Sequence, residues 1–186
     1  MPIAPNSLTR RIFLVPAAIL AAAAPAPASE RESRAEPFDF FEGRTEMVSV
    51  VKVIMRKPYR SRTLGQGQIL SDGSLALVQR VLDEGKPAGE RRWRIRQVGA
   101  KQFAGTMSEA TGPVTVQEVS GKYRFRFKMK GNLEVDQWLT PLPGGTAAHS
   151  RATVKKFGMR VASSEGMIRK LQGCASTRCW QAQSDD

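Results

Sequence analysis

The chain has almost none of the residues on which metal and nucleophilic chemistry depend. It holds one histidine and two cysteines in 186 residues, which speaks against a metal site built from the usual nitrogen and sulfur ligands. Carboxylates are few beside cations, 17 against 29, for a formal charge of +12. The longest apolar run, Ile12–Ala24, has 13 residues, too short for the roughly 20 that span a bilayer as a helix. There is no internal repeat, no long amphipathic helical period and no low-complexity tract after Ala28. Gly65-Gln66-Gly67 lacks the Lys-Ser/Thr and the helix that make a phosphate loop. These absences leave no catalytic or cofactor motif above background, and neither a cofactor nor a metal is expected.

What is present begins with the first 28 residues. Met1–Arg11 is short and carries Arg10 and Arg11, Ile12–Ala24 is apolar, and Ala26-Pro27-Ala28 is a small-x-small cleavage site. That is the layout of a cleaved bacterial export signal. Thr9-Arg10-Arg11-Ile12-Phe13-Leu14 resembles the twin-arginine signal, which a receptor reads and which is not an anchor; an ordinary Sec signal containing Arg-Arg is the other reading. No cysteine lies near the cut, so a periplasmic, unanchored, soluble protein is expected. Loss of Arg10 and Arg11 lowers the charge from +12 by two to +10, which favours anionic partners. After export nucleic acid is not expected, leaving anionic lipid head groups, lipopolysaccharide or acidic polymers, or else a solvated basic surface. Residues 29–37 read as a charged leader, 38–172 as the folded domain and 173–186 as a tail. The tail holds Cys174 and Cys179 with four residues between them, a spacing for a short-loop disulfide in an oxidising compartment and not for a Cys-x-x-Cys redox centre.

Beyond residue 38 the hydrophobic period is two. Strands are expected over Thr45–Met55, Leu64–Leu70, Leu75–Leu82, Arg91–Val98, Gln102–Ser108, Val114–Val119, Lys122–Lys130, Leu133–Thr140 and Ala147–Lys156. Ser71-Asp72-Gly73-Ser74 between two apolar runs is a hairpin signal. Arg56–Arg62 reads as a basic loop, and Phe157–Leu171 as a strand interrupted near Ser163–Gly166 or a short helix. In Lys122–Lys130, Tyr123, Phe125, Phe127 and Met129 alternate with Arg124, Arg126, Lys128 and Lys130, so one face is apolar and the other cationic. A one-residue slip would bury the cations, and the strand therefore fixes its own register. Nine or ten strands joined by short turns form an all-β antiparallel meander that must close or fold over. The expected architecture is an up-and-down barrel of the lipocalin kind, a shape that can hold one small ligand.

Four short segments carry a family resemblance. Phe40-Phe41-Glu42-Gly43, Asp83-Glu84-Gly85 with Arg92-Trp93, Asp136-Gln137-Trp138 and Lys156-Phe157-Gly158 together resemble the domain of unknown function 3833 family, from about Phe38 to Leu171. The resemblance implies a lipocalin-like barrel and no defined activity. Many members look like lipoproteins with an N-terminal cysteine, which this chain lacks. It has His149 where the family's late strand has Asn.

Trp93, Tyr123, Phe125, Phe127 and Trp138 are the candidate cavity residues for a lipid or other small apolar ligand, with plain core as the other reading. Arg92, Arg94, Arg96, Arg124, Arg126, Lys128 and Lys130 are the candidate contacts to an anionic membrane surface, with solvated strand faces as the other reading. His149 and Ser150 are adjacent in a strand and so point apart, which excludes a base–nucleophile pair. Glu109, Glu118, Glu134 and Asp136 offer carboxylates, but no pair stands out for acid–base work. The leading function is a periplasmic lipocalin-like protein that binds a lipid or small apolar ligand near anionic envelope surfaces. A non-enzymatic envelope assembly accessory that binds another protein, and an enzyme acting on an envelope lipid or polysaccharide, are the alternatives. Alkylation of the exported, denatured but unreduced protein is expected to label neither Cys174 nor Cys179, and to label both after reduction; labelling without reduction would refute the disulfide.

Overall fold

The computed structural model describes residues 38–171, and they form ten antiparallel strands and no helix. The strands are β1 (Gly43–Val53), β2 (Tyr59–Ile69), β3 (Leu75–Asp83), β4 (Gly89–Gly99) and β5 (Gln102–Met107). They continue with β6 (Val114–Val119), β7 (Lys122–Met129), β8 (Leu133–Pro141), β9 (Ala147–Lys156) and β10 (Met159–Lys170). Each strand pairs with the next, and β1 pairs with β10 to close the barrel. The expected meander and closed barrel are therefore what the chain forms. The export signal, the leader, Cys174 and Cys179 lie outside the described residues.

Local chemistry explains the turns. Asp72 Oδ1 accepts bonds from the Ser74 amide and hydroxyl at 3.0 and 2.5 Å, with Gly73 at a φ of 74°. Ser120-Gly121, Gly131-Asn132 and Phe157-Gly158 have positive φ at both positions, the geometry of two-residue hairpin turns whose twist matches the strands.

Two strands differ from expectation. β2 begins at Tyr59, so Tyr59–Arg62 is strand and not loop. Its inward residues from there on are Tyr59, Ser61 and Thr63, the last two buried, and a strand that turns hydroxyls inward shows no hydrophobic alternation. β10 runs unbroken through Ser163–Gly166, and its one register shift lies between Arg160 and Ala162. Small inward residues, Ser164 and Gly166, gave that stretch its interrupted look.

The core lies towards one end, the floor. Leu75, Ile95, Phe103, Val116 and Leu139 are buried there, each contributing roughly 1.5–3 kcal/mol. The turn Phe38–Glu42 caps the floor, with the Phe38 and Phe103 rings edge-to-face at 5.1 Å. Gly67 makes this possible. A Cβ there would lie 1.9 Å from the Phe41 carbonyl oxygen, so only glycine lets the cap sit. Gly67→Ala is expected to cost ~1–3 kcal/mol in urea unfolding. Gly89→Ala, where a Cβ meets nothing within 4 Å, should leave stability nearly unchanged; equal costs would refute the capping role.

Candidate functional site

Alternation sends every second residue of the ten strands into the barrel. Eight strands enclose an interior that side chains just fill or that holds one small ligand, and the diameter grows with strand number. Ten strands here leave a cavity of about 240 Å³. Its two sides differ in size and chemistry. Large apolar side chains come from β3 to β8, among them Leu77, Trp93, Phe125 and Phe127. The small and hydroxyl-bearing ones, Ser49, Ser61, Ser150, Ala152 and Ser164, come from β1, β2, β9 and β10, beside the apolar Met47, Val51, Val154 and Ile168 of β1, β9 and β10 and Tyr59 of β2. The register joins part of the second set into one row: Asp83 opposite Ser61, Ser61 opposite Ser49, Ser49 opposite Gly166, and Gly166 opposite Ser150. Small residues on that side are the reason the barrel is not filled.

The polar groups within are mostly satisfied. Gln137 donates to Ser150 Oγ at 2.9 Å, and Trp93 Nε1 donates to Gln79 Oε1 at 2.7 Å. The Trp93 and Phe127 rings meet edge-to-face at 5.5 Å. Ser49 is the exception: its Oγ is buried without a hydrogen-bond partner among the described residues. Leaving such a group unpaired costs about 1–3 kcal/mol.

At the mouth, opposite the floor, Lys86 Nζ donates to the Tyr59 hydroxyl and to Asp83 Oδ2, both at 2.9 Å. Burial alone would raise the Asp83 pKa, but hydrogen bonds from Ser61, Lys86 and Tyr59 outweigh it and hold the carboxyl below its ordinary value. Bonds to Tyr59 and Asp83 hold Lys86 above its own. Asp83 thus stays ionised and engaged, the opposite of a general acid. Arg91, also at the mouth, donates to Glu109 at 2.6 Å.

Of the five aromatic candidates, Trp93, Tyr123, Phe125 and Phe127 line the cavity. Trp138 does not. It shares strand parity with Glu134 and Asp136 on the outside of β8, and the Arg124 guanidinium lies 5.1 Å from its ring centroid. Counting by two from Val135 would have placed it there.

The seven cationic candidates lie on the outer surface, several of them engaged in ion pairs. Arg92 pairs with Glu90 at 2.7 Å, Arg94 with Asp72 at 2.9 Å and Lys128 with Glu134 at 3.6 Å. Arg124 grips Asp136 through two nitrogens, and Arg126 donates to Gln117 at 3.2 Å. Arg96 and Lys130 are exposed. Glu134 and Asp136 are therefore ion-pair partners, not an acid–base couple. His149 faces out, with Nε2 3.2 Å from Glu165, while Ser150 faces in, as strand alternation requires.

The residues missed in the sequence are Ser49, Ser61, Ser150 and Ser164. Carrying the two-residue count from the aromatic strand through each hairpin would have found them.

No family model matches the chain, and no curated protein does, so the resemblance to the domain of unknown function 3833 family rests on its short motifs. Solved structures do match. The S-type phycobiliprotein lyase CpeS from Guillardia theta is similar over 74% of this chain and 92% of its own, with a TM-score of 0.60 and 7% identity. A protein of unknown function from the DUF3598 family of Nostoc punctiforme is similar over 72% of this chain and 48% of its own, with a TM-score of 0.54 and 12% identity. At those identities the likeness is one of fold.

The Asp83 cluster generates a pH dependence. Because the folded pKa lies below the ordinary 3.8, its stabilisation is present above that value and lost as pH falls through the folded one. Asp83→Asn is expected to be less stable at neutral pH and to show a shallower loss of stability into acid. Parallel wild-type and variant profiles in urea unfolding would refute the cluster's role. With these contacts the described chain is a closed ten-stranded barrel of the lipocalin-like fold, enclosing a two-sided cavity.

Proposed function

We propose that the barrel binds one small amphipathic ligand, with an apolar body and at least one hydrogen-bonding group, and holds it without chemical change. The carrying observation is the cavity of about 240 Å³, with most of its aromatics on β4 to β7 and its serine hydroxyls on β1, β2, β9 and β10. The ligand's apolar body would lie against Trp93, Phe125 and Phe127. Its polar group would lie against the hydroxyl row, where Ser49 Oγ lacks a partner. The cavity is somewhat below the ~300–1,000 Å³ of drug-sized ligand pockets, which suits a single acyl chain or a small ring system.

The fold alone does not decide between carrier and catalyst, since one neighbour of this fold is a lyase by name. The site's own groups favour a carrier. Asp83 is held ionised by three donors, and Arg91 is engaged by Glu109. Export to the periplasm is part of the same reading and rests on Arg10-Arg11, Ile12–Ala24 and Ala26-Pro27-Ala28. In that compartment the protein would hold a lipid or other small apolar molecule near anionic envelope surfaces. The short motifs shared with the domain of unknown function 3833 family are consistent with it.

A fluorescent fatty acid titrated into the purified protein is expected to saturate at one per chain and to quench Trp93. Ala152→Phe, which fills the hollow side, should weaken it by about tenfold or more. Ser49→Ala should weaken a ligand that uses that hydroxyl by ~2- to 10-fold, the value of one hydrogen bond. No saturable binding, or binding unaffected by Ala152→Phe, would refute the reading.

A further inference from the structure

We infer that the mouth of the barrel is a docking surface for an anionic lipid bilayer, and that the basic strand rows are not. Among the described residues, four large hydrophobic side chains stand out for exposure: Met55 at 99%, Phe157 at 71%, Met159 at 69% and Ile54 at 63%. All four lie at the mouth, on the β1–β2 and β9–β10 hairpins. Those hairpins are neighbours, because β1 pairs with β10 up to Val53 opposite Ala162, and the Ile54 amide donates to the Val161 carbonyl at 2.9 Å.

The backbone at these tips makes the side chains harder to explain by folding. Met55 has a φ of 60° and Phe157 a φ of 50°, a left-handed conformation that disfavours large side chains and favours Gly or Asn. The other two non-glycine residues in that region, Ser120 and Asn132, are small and polar. Two bulky apolar residues thus occupy strained tips and touch little of their own protein.

Around them stand cations. Arg56, Lys57 and Arg60 flank one tip and Lys155, Lys156 and Arg160 the other, all exposed. None of the six makes an ion pair with a carboxylate among the described residues. The sequence contains no Asp or Glu from residue 47 to 71 or from 137 to 164. Glu84 approaches this end but accepts from the Arg60 backbone amide, and Glu134 pairs with Lys128. Lys156 Nζ lies 5.7 Å from the Phe157 ring centroid, and apolar tips ringed by cations without carboxylate partners match the interface of an anionic bilayer, where apolar groups enter the head-group boundary and cations meet lipid phosphates. Partner proteins with acidic surfaces would satisfy the cations but leave the strained apolar tips without a role. Docking needs no occupied cavity; only its use, passing a ligand between bilayer and barrel, rests on the carrier reading.

The test is flotation of the purified protein with vesicles of phosphatidylethanolamine and phosphatidylglycerol, beside vesicles of phosphatidylcholine alone. The wild type is expected to bind the anionic vesicles and to bind the neutral ones far less. Met55→Asn with Phe157→Asn keeps residues that tolerate the tip conformation, so its melting temperature should hold or rise. Its affinity for the anionic vesicles should fall by about tenfold or more. Arg92→Gln with Arg94→Gln, on a strand row, should bind like the wild type. Fatty-acid binding without vesicles is measured on the same samples. If it is absent while the tip variant still loses vesicle binding, the carrier reading fails and the docking surface stands. Absence of wild-type binding to anionic vesicles, equal binding by the tip variant, or loss confined to the strand-row variant would each overturn the proposal.

Discussion

The seam between β1 and β10 runs from Thr45 opposite Lys170 to Val53 opposite Ala162, and the interior exists because it closes. Left open, both strands would present unpaired amides and carbonyls, and the apolar faces of the other eight would have nothing to face. The seam joins strands far apart in the chain, so it carries the largest loop-closure cost of any pairing in the barrel. It also demands close approach: a Cβ on Gly166 would lie 2.2 Å from the Val48 carbonyl oxygen and 2.5 Å from Ser49 Cβ. The small residues that allow this closure are the ones that keep one side of the barrel hollow. Closure and cavity are thus two results of the same side-chain sizes.

That coupling explains which half of the site was legible in the sequence. Tyr123, Phe125 and Phe127 announce an inward face because large apolar residues alternate with cations, and burying the wrong set would be ruinous. Ser49, Ser61 and Ser164 point inward by the same geometry. Hydroxyls carry no such signal, since a small polar residue is as common outside as in. Hence Tyr59–Arg62 reads as a loop and Ser163–Gly166 as a break, although both lie within strands. Trp138 is the converse error. Size and aromaticity suggested the cavity, while its parity with Asp136 puts it outside, where Arg124 stacks near it. Periodicity placed nine strands and most of their boundaries and left the tenth open; it could not weigh a polar interior.

Charge shows a similar division between composition and placement. A formal +12 says only that the surface is basic. Arg92, Arg94, Arg124 and Lys128 each meet a carboxylate, on their own strand, across a neighbouring pair or at a nearby turn. Each pair adds little stability at an exposed site, but together they cancel much of the local field of the outer wall. At the mouth the sequence omits carboxylates, in 47–71 and 137–164, and the cations of the two tips stand there without such partners. Those stretches are the strands of the seam and their hairpins. The outward rows, charged at every second position and in part ion-paired, do not present on β4 and β7 the apolar band of a bilayer-spanning barrel.

The barrel is therefore polar along its axis. One end is sealed by Phe38 on Phe103, with the Gly67 position shaped to admit that cap. The other end opens between turns whose chemistry ranges widely. Gly131-Asn132 uses residues that the left-handed turn favours, and Phe157-Gly158 does not, although the two turns share the same backbone sign at both positions. A fold that follows local preference everywhere would place a small polar residue at 157 as it does at 132. Departures from local preference concentrate where a surface has another task, because only an outside contact can offset their cost to folding. Phe157 and Met55 are such departures, they occur on adjoining hairpins, and the contact that would offset them lies beyond the barrel's own mouth.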